Sequence, residues 1–221
     1  MKTYILIGGI GSGKTTISRL FAERGATCLD LDEVGHEILC QPDVIAMLSD
    51  TFGHRILDEK GTIDRSKLAH CAFRSPADTI KLNAITQPRL MKEAERQFRA
   101  YEQQGKSLVI VEISAYDGPA GRFAPFVRDA DGIIAVTAPQ RLRIERAVRK
   151  GFSKADVRRR IARQATDVQR GLWATYIIEN KGSLENLNNR VDKVFQALQA
   201  SDASAGDDVT TEGANLDGSS L

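Results

Sequence analysis

The chain has 221 residues, of which 42% are hydrophobic and 27% charged, the make-up of an ordinary globular protein with room for one core and an inserted subdomain. No apolar run reaches the ~18–20 residues of a membrane span, and the apolar start before Gly8 is too brief for a signal peptide. Three cysteines without a CxxC pair argue against a disulfide scaffold and a Cys-based zinc site and suit free thiols in a reducing cytosol, while the net charge of +2 is modest.

Taken in chain order, the apolar pattern predicts a strand over 3–8, ended by glycines. An amphipathic helix over 14–24 follows, with Ile17, Leu20 and Phe21 on one face. A second strand covers 27–31. The gap before the third strand, 107–113, is too long for a loop, so a mostly helical insertion is expected over roughly 33–105. Its long helical stretch over 79–104 is expected to break near Pro88. A fourth strand covers 132–137, two very basic helices 139–150 and 154–170, a fifth strand 175–179, and an amphipathic helix 184–199. Each strand is continuously apolar rather than alternating, as in strands covered on both faces. Alternating strands and helices predict an α/β fold with a five-stranded parallel sheet flanked by helices.

The segment Gly8 to Thr15 fits GxxxxGK[ST], between a strand and a helix. Glycines let backbone N–H groups converge on phosphate oxygens, and the helix start adds its positive dipole end. In such a loop Lys14 reaches the β- and γ-phosphates and the Thr15 hydroxyl ligates Mg²⁺. There is no NKxD, which argues against a GTPase, and strand 107–113 holds only Glu112, inside the strand rather than at its end. Asp30 and Asp32 close strand two, where a parallel sheet presents its ligand crevice, and either could orient and deprotonate a hydroxyl. Ten cations between 141 and 163 face only Glu145 and Asp156. With Gly151-Phe152-Ser153 at their tip, these helices read as an Arg-rich lid that closes on transferring phosphates. Arg143, Arg146 and Lys150 share one face of it. The segment lacks the repeated aromatics that stack nucleic-acid bases. The layout is that of a P-loop NTPase fold of the nucleotide-kinase type.

The ordered set of motifs resembles the dephospho-CoA kinase family across roughly residues 3–199. Ile7 to Thr15 is similar to that family's glycine-rich opening, and Asp30-Leu31-Asp32 to its D-x-D. Phe52-Gly53, Gly61 to Arg65, Phe73, Leu82 to Ile85 and Pro88 follow in family order, then Arg149 to Ser153, Gln164 and Asn180-Lys181-Gly182. The resemblance implies ATP-dependent phosphorylation of the 3′-hydroxyl of dephospho-CoA, giving coenzyme A and ADP, with Mg²⁺ held at Thr15. It implies catalytic roles for Lys14, for Asp32 as base, and for a lid arginine. The family's position four before Arg149 is Glu145 here, so Arg146 is the substitute. ATP contacts are implied for Gly9, Gly11, Ser12, Gly13, Lys14, Thr15, Thr16, Arg149 and Asn180. Acceptor contacts are implied for Asp32, Arg65, Asn83 and Gln87.

The chain departs from the family where Gln87 replaces a His, Ser114-Ala115-Tyr116 a PLL, and Ala174-Thr175-Tyr176 an ADY. A competing reading is another P-loop kinase of a small hydroxylated or nucleotide acceptor, and a third is a non-catalytic ATP-binding protein. An acceptor screen by ADP release separates them. The implied partners are ATP and dephospho-CoA, without nucleic acid or membrane, for a cytoplasmic monomer or weak homo-oligomer. A kinase domain over 1–200 is expected, with its lid over about 139–170.

Residues 201–221 carry five acids, no Lys or Arg and no aromatics, and read as a disordered acidic tail. Without them 31 basic residues face 24 acidic ones, so the body has a charge of +7, suited to an anionic ligand. Deleting 201–221 is expected to leave both Tm and turnover unchanged, because the segment has too little apolar surface to dock. A loss of several degrees in Tm would refute this.

Overall fold

The computed structural model describes residues 1–200, and the acidic segment 201–221 lies outside them. Strand β1 (Lys2–Gly8) enters the glycine loop, which turns into helix α1 (Lys14–Glu23). β2 (Thr27–Asp30) passes directly into α2 (Leu31–Ile38). Helices α3 (Pro42–Phe52), α4 (Arg65–Ala72) and α5 (Pro76–Gln103) fill the segment before β3 (Leu108–Ile113). A short helix that the apolar pattern does not signal, α6 (Ala124–Arg128), precedes β4 (Gly132–Thr137). Then come α7 (Gln140–Arg149), α8 (Lys154–Arg163), α9 (Asp167–Trp173), β5 (Tyr176–Glu179) and α10 (Leu184–Ala200).

The sheet is parallel throughout, in the order β2-β3-β1-β4-β5. The order reverses at β1, whose neighbours β3 and β4 diverge to opposite sides. A ligand crevice opens at such a point, beyond the carboxyl ends of the strands. Alternate residues of β1 serve opposite faces, as the strand period requires. Tyr4 and Leu6 pack with Ile17, Phe21, Val191 and Leu198 of α1 and α10. Ile5 and Ile7 pack with Val34 and Ile38 of α2, Leu90 and Ala94 of α5, and Phe126 of α6. A separate small core of Val44, Leu48, Phe52, Ile56, Leu68 and Ile85 holds α3, α4 and the first part of α5 together.

The structure differs from the sequence pattern at three places that shape the site. First, α5 runs unbroken through Pro88. The proline leaves the Ala84 carbonyl without its helical donor, at a cost of ~3 kcal/mol. Burial on both sides of the break offsets that cost: Ile85 belongs to the small core, and Leu90 and Ala94 to the sheet core. Second, the basic stretch over 154–170 is two helices. Thr166 starts the second with a capping box to Gln169, and Gln164 between them is extended. Third, the second strand ends at Asp30 rather than Leu31. Asp30 Oδ1 accepts from the backbone of Asp32 at 2.8 Å and of Glu33 at 3.4 Å, and α2 begins at once.

Replacing Pro88 by Ala restores an N–H toward the Ala84 carbonyl without touching either core. Pro88→Ala is expected to stabilise the protein by roughly 1–3 kcal/mol, read as a raised Tm. A lower Tm would mean that the helix needs the proline's geometry.

Candidate active site

The glycine loop is clamped from the side of β4 and β5. Gly11 (φ 72°) and Gly13 (φ 98°) adopt left-handed backbone, which favours glycine. A Cβ on Gly11 would collide with the backbone carbonyl of Arg143, and one on Gly13 with the Asn180 amide. The Arg143 guanidinium lies where a Cβ on Gly9 would sit. Arg143 Nε donates to the Ile10 carbonyl at 3.0 Å, and Gln164 Oε1 accepts from the Ile10 backbone N–H at 2.9 Å. Asn180 Nδ2 donates to the Ser12 carbonyl at 2.8 Å.

Arg143 is thus not the phosphate-facing lid arginine that its place on the helix face suggested. It is 5% exposed, and Asp167 binds it at 3.4 Å and Arg170 at 2.8 Å. Burial works against both guanidinium charges and Asp167 offsets it. The trio ties the base of the lid to the loop. Arg146, one turn on, does face the cavity: its Nη2 donates to Asn180 Oδ1 at 3.2 Å and its Nη1 to the Ser12 carbonyl at 3.5 Å.

A cavity of about 1100 Å³ opens over the loop. Gly9, Gly11, Gly13, Lys14, Thr15, Thr16, Asp32, Arg146, Arg149 and Asn180 all line it, so the structure brings together most of the expected ATP-side residues. Ser12 does not line it. Its side chain is fully buried against Gly8, and its hydroxyl has no hydrogen-bond partner. Asp30, the rival of Asp32, is committed to capping α2.

Glu112 of β3 also lines this cavity and is 4% exposed. Its position inside the strand spoke against a metal-type acid, yet a lone carboxylate in the run Leu108 to Ile113 was itself a signal, since such groups are almost never buried without a purpose. Burial pushes its pKa up to about 7, with Asp30 and Asp32 adding to the shift, while Lys14 and a Thr15 hydrogen bond oppose it. Burial also lowers the pKa of Lys14, against the pull of Glu112 and Asp32. Lys14 Nζ donates to the Gly8 carbonyl at 3.1 Å. The Thr15 hydroxyl and the carboxylates of Glu112 and Asp32 are oxygen donors suited to a hard cation such as Mg²⁺. No cluster of three or more acidic, His or Cys side chains exists among the described residues. That fits a cation held largely by nucleotide phosphates and water.

A second cavity of about 690 Å³ lies against α2, α4 and α5, and Arg65, Asn83 and Gln87 line it together. Ala69, Phe73 and Arg160 line both cavities, and α2 joins them, with Asp32 in the first and Gly35 and His36 in the second. Gln87 Nε2 donates to the carbonyl of Arg122, a residue of no motif, at 2.8 Å. Among the described residues no helix is long and apolar enough to cross a membrane.

A parallel sheet with a glycine loop, a buried Lys and a cation-rich lid over one cavity defines a P-loop kinase. The family model for dephospho-CoA kinase matches residues 4–186. A dephospho-CoA kinase of Corynebacterium glutamicum is 38% identical over 196 residues, 87% of this chain and 95% of that protein. One of Deinococcus radiodurans is 35% identical, covering 88% of this chain and 91% of the relative. The solved structure of TT1252 from Thermus thermophilus is similar with a TM-score of 0.75 at 26% identity, over 89% of this chain and 97% of that one. A shikimate kinase of Acinetobacter baumannii shares the fold alone, with a TM-score of 0.53 at 18% identity over 91% of this chain and 94% of that one. The chain belongs to the dephospho-CoA kinase family, and it catalyses the ATP-dependent phosphorylation of the 3′-hydroxyl of dephospho-CoA, giving coenzyme A and ADP.

Glu112 has a measurable signature. A folded-state pKa raised from 4.5 to about 7 means that the folded protein holds a proton which the unfolded chain releases, so this group's contribution declines as pH rises between those values. Glu112→Gln carries no such penalty. Its Tm should match that of the wild type near pH 5 and exceed it near pH 8, by on the order of 3 kcal/mol at most. An advantage independent of pH would refute the buried-acid reading.

Proposed function

We propose that the larger cavity takes Mg²⁺-ATP and the smaller one takes dephospho-CoA, with the 3′-hydroxyl meeting the γ-phosphate beside Asp32. The observation that carries this is the continuity of α2, which puts Asp32 in the first cavity and the next turn in the second. The loop N–H groups and Lys14 hold the triphosphate. Thr15 and Glu112 hold Mg²⁺, which when bound spreads the charge of the transferred phosphoryl group. Thr16, Arg146 and Arg149 face the same phosphates, and Asn180 holds both the loop and Arg146 in place. Arg65, Asn83 and Gln87 receive the acceptor. Residues 1–200 act as one kinase domain in which the α3–α5 segment binds the acceptor and α7–α8 form the lid. A cytoplasmic setting matches the free thiols of Cys28, Cys40 and Cys71.

In the reaction the acceptor 3′-oxygen forms a bond to the γ-phosphorus as the bond to the β–γ bridging oxygen breaks. ADP leaves, and Asp32 takes the hydroxyl proton. The transition state is largely dissociative, so the proton moves late and positioning dominates. Closure of the lid excludes water, which would otherwise compete as acceptor.

Two paired experiments test these roles. Asp32→Asn should lower kcat by ~10²–10⁴ with little change in ATP affinity, while Asp30→Asn, which keeps a good N-cap, should hold kcat within about threefold. The opposite pattern would move the base to Asp30. Lys14→Ala should abolish turnover without unfolding the protein, because it removes a desolvated charge rather than a packed one. Retained wild-type turnover would rule out the loop assignment.

A further inference from the structure

We propose that Arg122 reads the diphosphate of the acceptor and that Gln87 positions it, an inference that rests on the second cavity being the acceptor site. Dephospho-CoA is adenosine joined through a 5′-diphosphate to pantetheine. With its 3′-hydroxyl turned toward Asp32 in the first cavity, its 5′ side points into the second. That cavity is lined by three guanidinium groups, Arg65, Arg122 and Arg160. Its one carboxylate, Asp64, already accepts from the backbone N–H groups of Ser66 at 2.9 Å and Lys67 at 3.1 Å. Arg160 donates to Asp156 at 2.9 Å and packs over Phe152, so the lid holds it. Arg122 is exposed, lies over the Phe123 ring at 5.0 Å and touches the Ala115 carbonyl at 3.4 Å. No carboxylate among the described residues pairs with it. A planar guanidinium presented in this way matches phosphate oxygens in bidentate fashion.

Gln87 fixes the segment that carries Arg122. Its Nε2 donates to the Arg122 carbonyl at 2.8 Å across 35 residues of sequence. This ties the chain just before α6 to α5, the helix that also presents Asn83 to the cavity. Gln87 thus acts as a positioning residue, and Arg122 makes the contact.

The test compares two acceptors, dephospho-CoA and adenosine, which has the same 3′-hydroxyl but no diphosphate. Arg122→Ala should raise KM for dephospho-CoA about 10- to 100-fold, with kcat and KM for ATP within about threefold. The loss should be confined to dephospho-CoA, leaving kcat/KM for adenosine as in the wild type. Where adenosine turns over too slowly, its inhibition constant against dephospho-CoA gives the same comparison. Gln87→Leu should reproduce the selective loss, Gln87→His should restore it through a ring N–H, and the Gln87→Leu, Arg122→Ala double variant should be no worse than Arg122→Ala alone. An equal loss with both acceptors, or a KM for dephospho-CoA that moves less than about threefold, overturns the role of Arg122. Additive losses overturn the role of Gln87. Arg65→Ala and Asn83→Ala separate this from the underlying reading. If they too leave KM for dephospho-CoA unmoved, the cavity itself is misassigned. If they raise it while Arg122→Ala does not, only the present inference fails.

Discussion

Close contact between the glycine loop and the groups that bear on it from α7 and the end of β5 sets the rest of the site. The Arg143 backbone and guanidinium and the Asn180 amide occupy the space that side chains at Gly9, Gly11 and Gly13 would need. The loop can therefore keep its N–H groups directed outward, toward an anion, while its carbonyls at Ile10 and Ser12 are bound from behind. The same two residues connect the loop to the lid, since Asn180 also accepts from Arg146 and Arg143 meets Gln164 and Asp167. Loop and lid base behave as one mechanical unit, and the lid tip beyond Lys150 is left to move.

Behind this clamp sits a group of charges arranged for a ligand rather than for stability. Lys14 and Glu112 are both deeply buried, and burial drives each toward its neutral form. Replacing such a pair with apolar groups is often stabilising. Its retention is understandable when a triphosphate and a divalent cation share the space. The cation strengthens the ionised form of Glu112, and the phosphates that of Lys14. Polar preorganisation of this kind is the main source of rate enhancement in phosphoryl transfer, where the protein does little covalent chemistry.

The acceptor side is assembled differently. Its cavity is a meeting place of α2, α4, α5 and the stretch before α6, with its own small hydrophobic core behind it. The unbroken course of α5 matters here. One rigid rod carries Ile85 into that core, Asn83 and Gln87 into the cavity, and Leu90 and Ala94 onto the sheet. The acceptor elements are thereby held at a set distance from the sheet's carboxyl edge, where Asp32 stands.

The sequence by itself determined the parallel α/β architecture and the phosphate loop, because both rest on local rules: continuous apolar strands, helical periodicity, and glycines ahead of Lys14 and Thr15. It also placed Asp32, Arg65, Asn83 and Gln87 by resemblance, and the fold gathers those four into two adjoining cavities. Tertiary structure decided the remainder. Pro88 lies within a helix because packing on both sides outweighs one lost hydrogen bond. Asp30 became a cap and Asp32 a cavity residue because the strand ends between them. Arg143 turned inward while Arg146, on the same helix face, stayed in the cavity, since only a folded neighbour such as Asp167 can offset a buried guanidinium. Glu112 and Arg122 acquire their surroundings from strands and helices distant in sequence, and no local pattern encodes such contacts.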